Sequence, residues 1–300
     1  MARKRSNFKN RNRNRMEINI NSNTIPVYSG GGSGSTLWIP NTRMVNSVEE
    51  AKIVVLPGGG DWNPLWYNDV RHSSTYSNNE VDIGQFSMLI RALEAGKHIV
   101  GICRGLQGLH IAAGGKLVQD VTNHRQGDHH IIDTFTNEMY FTNSIHHQMV
   151  DLNSLVEDDY TLFAYASPSR SKHYLDGSGV CMGHHYIDKE PEVVFYNRLK
   201  AVGFQYHPEI LHKGVTLDYS RKIVTELLDY GDQLCDIEHA REAAAVLRKK
   251  MKLLFDREIK SATSIVSMYK REEPKQLCLP ALTSTKTKNE KDWRSNIKEF

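Results

Sequence analysis

Hydrophobic and polar positions change period several times along this chain. Thr24 to Tyr28 and Ala51 to Leu56 are short apolar runs with β-branched residues, which predicts strands. From Asn79 to Ala95 the apolar positions Val81, Ile83, Phe86, Leu89, Ile90 and Leu93 recur at helical spacing, and Gly96 supplies a stop. Ile99 to Ile102 predicts the central strand of a βαβ unit. Leu106 to Ala113 reads as a helix ended by Gly114 and Gly115. Tyr160 to Ala166, Glu192 to Tyr196 and Val202 to Tyr206 read as strands, and Val215 to Tyr230 as a closing helix. Alternation of this kind implies an α/β fold, a mostly parallel sheet flanked by helices.

Past Gly231 the pattern changes. Ile237, Ala240, Ala244, Leu247, Met251 and Leu254 recur at alternating spacings of three and four, an apolar stripe on an otherwise charged helix. Three occupants suit such a stripe: a synthetase or ligase partner, a second copy of the chain, or, more plainly, the face of its own domain. Helical character extends towards Tyr269 and Pro274 ends it. At the other end, residues 1 to 15 hold five Arg and two Lys with no acid. Taking that arm from the +3 of the whole chain leaves the rest at −4. The arm has no apolar period and only Phe8 among its aromatics, so it reads as a solvated tail, with phosphate contacts to nucleic acid as the less favoured alternative. The expected organisation is a disordered basic arm (1–15), a catalytic domain (16–234), a helical extension (235–272) and a disordered tail (273–300).

Composition narrows the class. A chain of 300 residues at 39% hydrophobic can bury a full core. Its four cysteines, Cys103, Cys181, Cys235 and Cys278, are widely spaced and form no CxxC pair, which suggests neither a disulfide framework nor a zinc ribbon and fits a reducing cytosol. No apolar run approaches a membrane span, and the basic amino terminus lacks the apolar core of a signal peptide. The expectation is a soluble, cytoplasmic protein.

The chemistry centres on Gly101-Ile102-Cys103-Arg104-Gly105, where a strand runs into a cysteine flanked by glycines. Such a strand-to-helix elbow forces its central residue into strained geometry and places the thiol at a helix amino terminus, where unpaired N–H groups favour thiolate. A lone cysteine is more often buried and inert. His207-Pro208-Glu209, delivered by the last apolar strand, weighs against that reading, because it offers a base and an orienting carboxylate. Pro57-Gly58-Gly59-Gly60-Asp61, directly after an apolar strand, lets backbone N–H groups approach a ligand with no Cβ in the way.

Together with Asn143-Ser144-Ile145-His146-His147-Gln148, these segments resemble the class I glutamine amidotransferase superfamily, and within it the γ-glutamyl hydrolase-like branch of peptidase C26 type that includes γ-glutamyl-GABA hydrolases. The likeness covers residues 24 to 230 and implies a flavodoxin-like fold. It places Cys103, His207 and Glu209 on the family's Cys-His-Glu triad, and N–H groups at Gly59 or Gly60 and at Arg104 in the oxyanion hole. By the same resemblance Gln107, Ser144 and His146 or His147 are candidates for holding the glutamyl group. Family members place a full helix and strand before the oxyanion strand; here only Thr36 to Val48 is available, which suggests a trimmed sheet edge. Asp61 to Tyr67 resembles that branch's D-x-x-P-x-x-Y segment, whose Trp62, Trp66 and Tyr67 either wall the pocket or pack the loop.

The expected reaction is hydrolysis of a γ-glutamyl amide through a thioester, with no metal or cofactor. His124, His129 and His130 raise the question of a metal, but adjacent histidines on a strand face opposite ways and no Cys or carboxylate spacing completes a site. His184 and His185 have no assigned role. Two enzyme readings differ in the amine released. If it is ammonia, the protein is a glutaminase feeding a separate synthetase or ligase, and the unassigned apolar stripe leans this way. If it is larger, the protein is a free-standing γ-glutamyl peptide or amide hydrolase. A non-catalytic scaffold or nucleic-acid-binding protein on the same fold is the alternative of another class, and an intact triad weighs against it.

Overall fold

The computed structural model describes residues 24–125, 127–182, 187–211, 213–234 and 236–271. The basic arm expected at 1–15, the tail expected at 273–300, and His184 and His185 lie outside the described residues. Two compact units are present, one through Leu253 and one from Leu254.

Among the described residues, one sheet of nine strands organises the first unit. Its parallel half runs β2 (Thr42–Met44), β1 (Ile25–Ser29), β3 (Ile53–Leu56), β4 (His98–Ile102), β13 (Ala201–Phe204). It continues as an antiparallel half through β12 (Pro191–Tyr196), β10 (Tyr160–Ala166), β7 (His129–Asp133) and β8 (Met139–Thr142). The reversal comes at the short connection from β12 to β13, where Lys200 takes φ 54°, a hairpin that apolar periodicity alone does not reveal. The α/β class is as expected. The trimmed edge consists of β2, three residues long, with a single 3-10 turn at Ser33–Ser35 between β1 and β2.

Two small sheets pair β5 (Lys116–Val118) with β9 (Met149–Asp151), and β6 (Asp120–Val121) with β11 (Tyr174–Leu175). Ile53 to Leu56 are buried throughout, as befits a parallel strand covered on both faces. Each such side chain contributes about 1.5–3 kcal/mol relative to exposure.

Helix α1 (Asn79–Glu94) begins at Asn78, whose side chain accepts from the N–H groups of Glu80 and Val81. Its buried face differs from the expected one. Val81 is exposed, while Asp82 and Gln85 join Phe86, Leu89, Ile90 and Leu93 inside. Helix α2 (Arg104–Ala112) is buried along its whole length, and α3 (Val215–Leu234) covers the sheet through Leu217, Ile223, Val224 and Leu227.

Helix α4 spans Ile237–Arg271. The first compact unit runs past the expected boundary at 234 because Ala240, Ala244 and Leu247 of the stripe are buried within it. Arg248 meets Glu94 of α1 at 2.6 Å, and Lys250 Nζ donates to the Trp66 carbonyl at 2.8 Å. The plainest of the three occupants therefore covers that part of the stripe. No helix among the described residues is long and apolar enough to cross a membrane.

Candidate active site

The pairing of β4 with β13 brings the elbow and the His207 segment together. Ile102 sits opposite Phe204, and the Cys103 N–H donates to the Phe204 carbonyl at 2.7 Å. Cys103 follows β4, precedes α2 and has φ 49°, ψ −104°, the strained geometry that an elbow demands. Glycine is required beside it: a Cβ on Gly101 would stand 2.6 Å from the backbone of Gly105 and Leu106, and one on Gly105 would collide with the Leu56 carbonyl.

His207 leaves the sheet three residues after Phe204, and Pro208 opens a 3-10 turn that carries Glu209 back to it. Glu209 Oε1 lies 2.7 Å from His207 Nδ1, which leaves Nε2 for the thiol. Burial alone would lower the His207 pKa. A hydrogen bond with Cys103, one with Glu209 and the negative charge of both groups overcome that effect and push it up to about 10. His207 is therefore held in its cationic form at neutral pH. Gln205 Nε2 also approaches Cys103 Sγ, at 3.7 Å.

The glycine loop lies against this pair. A Cβ on Gly58 would stand 2.7 Å from His207 Cε1, and one on Gly59 would stand 2.9 Å from Arg104 Cδ. Arg104, expected to contribute only its backbone, proves to be the organiser of the loop. Its Nη1 donates to the carbonyls of Gly60 and Asp61, each at 2.9 Å, its Nε to Gln85 Oε1 at 2.9 Å, and its Nη2 to Asp82 Oδ1 at 2.6 Å. The guanidinium stacks 3.8 Å above Trp62, whose Nε1 donates to the Arg104 carbonyl. Trp66 Nε1 donates to Asp82 Oδ2. Burial pushes Asp82 up and Arg104 down from their ordinary values, and each opposes the other's shift by pairing. Trp62, Trp66 and Tyr67 are buried, so of their two expected roles they take that of packing the loop.

The substrate candidates occupy a neighbouring layer. Gln107 is buried one turn into α2 and donates to the Gln148 carbonyl at 3.1 Å. The Ser144 hydroxyl donates to the His124 carbonyl at 2.8 Å, and His146 Nδ1 meets the Gln148 carbonyl at 3.0 Å. Burial and the nearby His124 hold His146 well below the usual imidazole range, hence neutral. His147 instead pairs with Asp61 on the glycine loop at 2.9 Å. Asn143, at the end of β8, grips the catalytic-candidate histidine by its backbone: Nδ2 donates to the His207 carbonyl and Oδ1 accepts the His207 N–H, both at 2.9 Å.

Asn143, Asp82, Gln85 and Gln205 were not singled out by sequence reasoning. A buried acid on an apolar helix face, as at Asp82, needs a cationic partner, and the basic residue in the elbow was the available signal. A cavity of about 620 Å³ lined by Phe135, Leu152, Tyr160 and Lys189 opens elsewhere; neither Cys103, His207 nor Glu209 lines it, and the chemistry of the elbow outweighs its size.

An α/β sheet with a cysteine elbow on its central parallel strand defines a protein of the class I glutamine amidotransferase type. More particularly, the chain belongs to the Peptidase C26 family, whose sequence model matches residues 3–168. That match includes the glycine loop, the elbow and the Asn143–Gln148 segment and stops short of His207. The chain is 27% identical over 110 residues to the small chain of the arginine-specific carbamoyl phosphate synthase of Bacillus subtilis, covering 37% of this chain and 26% of that protein. It is 25% identical over 162 residues to protein NtpR of Enterococcus hirae, covering 51% of this chain and 64% of that protein. These matches thus span about a quarter and just under two thirds of the relatives' lengths. Among solved structures it is similar to a glutamine amidotransferase from Thermotoga maritima, with a TM-score of 0.43 at 17% identity over 78% of this chain and 97% of that one.

Proposed function

We propose that this protein hydrolyses γ-glutamyl amides with Cys103 as nucleophile, His207 as acid and base, and Glu209 as the carboxylate that orients His207. The observation that carries the reading is the pairing of β4 with β13, which sets Cys103 and His207 at the carboxyl ends of neighbouring strands with Glu209 Oε1 2.7 Å from His207 Nδ1. The Cys103 thiolate attacks the γ-carbonyl carbon, and the resulting oxyanion accepts from N–H groups at Gly59 or Gly60 and at Arg104. As the C–N bond breaks, the His207 imidazolium gives its proton to the departing amine. A water molecule, deprotonated by His207, then attacks the thioester and releases glutamate. Gln107 and the Ser144 to His147 segment border the space assigned to the glutamyl group.

The amine released is assigned as larger than ammonia, with the protein acting alone. Support comes from the clamp of Arg104 on the Gly60 and Asp61 carbonyls, since a loop already held by its own hydrogen bonds needs no partner to order it. The burial of Ala240, Ala244 and Leu247 within the first unit also removes much of the apolar stripe that favoured a partner. A second reading, a glutaminase that supplies ammonia to a synthetase, is favoured by the similarity to a carbamoyl phosphate synthase small chain. The test is kcat/KM for glutamine and for substituted γ-glutamyl amides with the purified protein alone. Efficient cleavage of the amides with glutamine poor supports the hydrolase. Glutamine turnover that appears only with a ligase present establishes the second reading, and inactivity towards every γ-glutamyl compound in both settings sinks both.

A further inference from the structure

Behind the catalytic strands lies a second group of polar side chains that the amide chemistry leaves unused. His124 precedes β7, His129 opens it, and Glu190 and Glu192 lie just before and within β12; all four are buried, none exposed by more than 3%. His129 Nε2 lies 2.8 Å from Glu192 Oε1, and His124 Nδ1 lies 4.0 Å from the same oxygen. One ligand atom from each of His124, His129 and Glu192 can be chosen so that all lie within 4.8 Å of one another.

The two carboxylates are treated very differently. Glu190 is saturated: it accepts from the N–H groups of Arg170 and Ser171, from the Tyr174 hydroxyl, and pairs with His124 Nε2 at 3.0 Å. Glu192 meets His129 through Oε1 alone, and its Oε2 has no hydrogen-bond partner among the described residues, although the residue is 1% exposed. A buried carboxylate oxygen left without a donor is costly, and a cation within reach would satisfy it. His129 Nδ1 is likewise buried and unpartnered among the described residues.

We propose that His124, His129 and Glu192 form a divalent-metal site, with zinc as the ion that suits two imidazoles and a carboxylate. Tetrahedral ligands about 2.1 Å from zinc lie roughly 3.4 Å from each other, and the observed 2.8 and 4.0 Å separations bracket that value. Glu190 supplies the accompanying feature of such sites, a carboxylate on the far nitrogen of a ligating histidine: it holds His124 Nε2, while Nδ1 lies 3.2 Å from the Ser144 hydroxyl, which it would exchange for the ion, and 4.0 Å from Glu192 Oε1. The ion ties β7 to β12, and the Glu192 carbonyl accepts the Gln205 N–H two residues before His207. Its role is therefore to stiffen the strand that delivers the base, and not to touch substrate.

The experiment uses the full-length chain carrying Cys103→Ala, so that the active-site thiolate cannot bind the probe. After chelator treatment and dialysis, the protein is titrated with zinc chloride and its metal content measured. One zinc per chain, a raised Tm, and loss of both in the further variants His129→Gln and Glu192→Gln are expected. Zinc binding unchanged by those substitutions, or no stoichiometric binding at all, overturns the site. Should the variants fail to fold, cobalt(II) titration of the Cys103→Ala chain decides: visible bands of a tetrahedral nitrogen and oxygen site support the proposal, and their absence refutes it. Each readout is independent of γ-glutamyl turnover, so failure here leaves the proposed hydrolysis standing.

Discussion

Asn143 holds His207 by both of its backbone polar groups, donating to the carbonyl and accepting from the N–H at 2.9 Å each. The Asn143→Ala variant loses both bonds while keeping the His207 and Glu209 side chains chemically intact. Because small displacements of a reacting group can cost as much as about 10²-fold, kcat should fall roughly 10- to 100-fold with KM within a few-fold. Equal kcat in a folded variant would remove Asn143 from the positioning of His207.

The pH dependence follows from the raised His207 value. Its folded value of about 10 lies above the ordinary histidine value near 6.5, so the imidazolium stabilises the fold. That contribution is complete below about pH 6.5 and is lost as pH rises towards 10. In wild type, kcat/KM should hold up to about pH 9–10 before its alkaline limb. Glu209→Gln removes one of the groups that raises His207, and the alkaline limb should move to lower pH as kcat falls. A limb that stays in place would show that Glu209 does not act on the imidazole.

Cys103 should react with a glutamine-mimicking diazo-ketone faster than Cys181, although Cys103 is buried and Cys181 exposed. Recognition at the site, and not access, would then govern the rate. Peptide mass spectrometry after brief exposure reads this directly; predominant labelling of Cys181 would place the nucleophile elsewhere.

Arg104→Met leaves Asp82 buried without its cation, and loss of one partner of a buried pair costs about 3–5 kcal/mol. Denaturant melts should show a loss of that order and a smaller one when Asp82→Leu is added. If Arg104→Met were as stable as wild type, the ion pair would not be what holds the glycine loop.

Gly105→Ala places a methyl, fixed to the helix backbone with no rotamer to relieve it, against the Leu56 backbone carbonyl. Overpacking of this kind costs about 1–3 kcal/mol or more. The variant should lose both stability and turnover; wild-type behaviour would contradict the close packing of α2 on β3.

The elbow was legible in the sequence because its requirement is local: Gly101 and Gly105 must flank Cys103 whatever surrounds them. The same holds for the buried strands at Ile53–Leu56 and His98–Ile102, and for the His-Pro-Glu turn. Each is dictated by residues adjacent in the chain. Helix α1 was legible in extent but not in facing, since its inward side is set by Arg104, which reaches Asp82 and Gln85 from the start of α2.

What the sequence determined by itself, then, was the α/β class, the elbow and the order of the motifs, all expressed through short-range sterics and period. Only tertiary structure decided that β12 and β13 fold back as a hairpin, that part of the α4 stripe is covered by its own unit, and that Asn143 reaches His207. It also decided which carboxylates meet the histidine-rich turn. His129 faces inward and His130 outward, as alternation along a strand requires, but Glu190 and Glu192 arrive some sixty residues later through the pairing of β10 with both β7 and β12. Sequence spacing carries no trace of such a meeting, because sheet order, not chain distance, sets which side chains become neighbours.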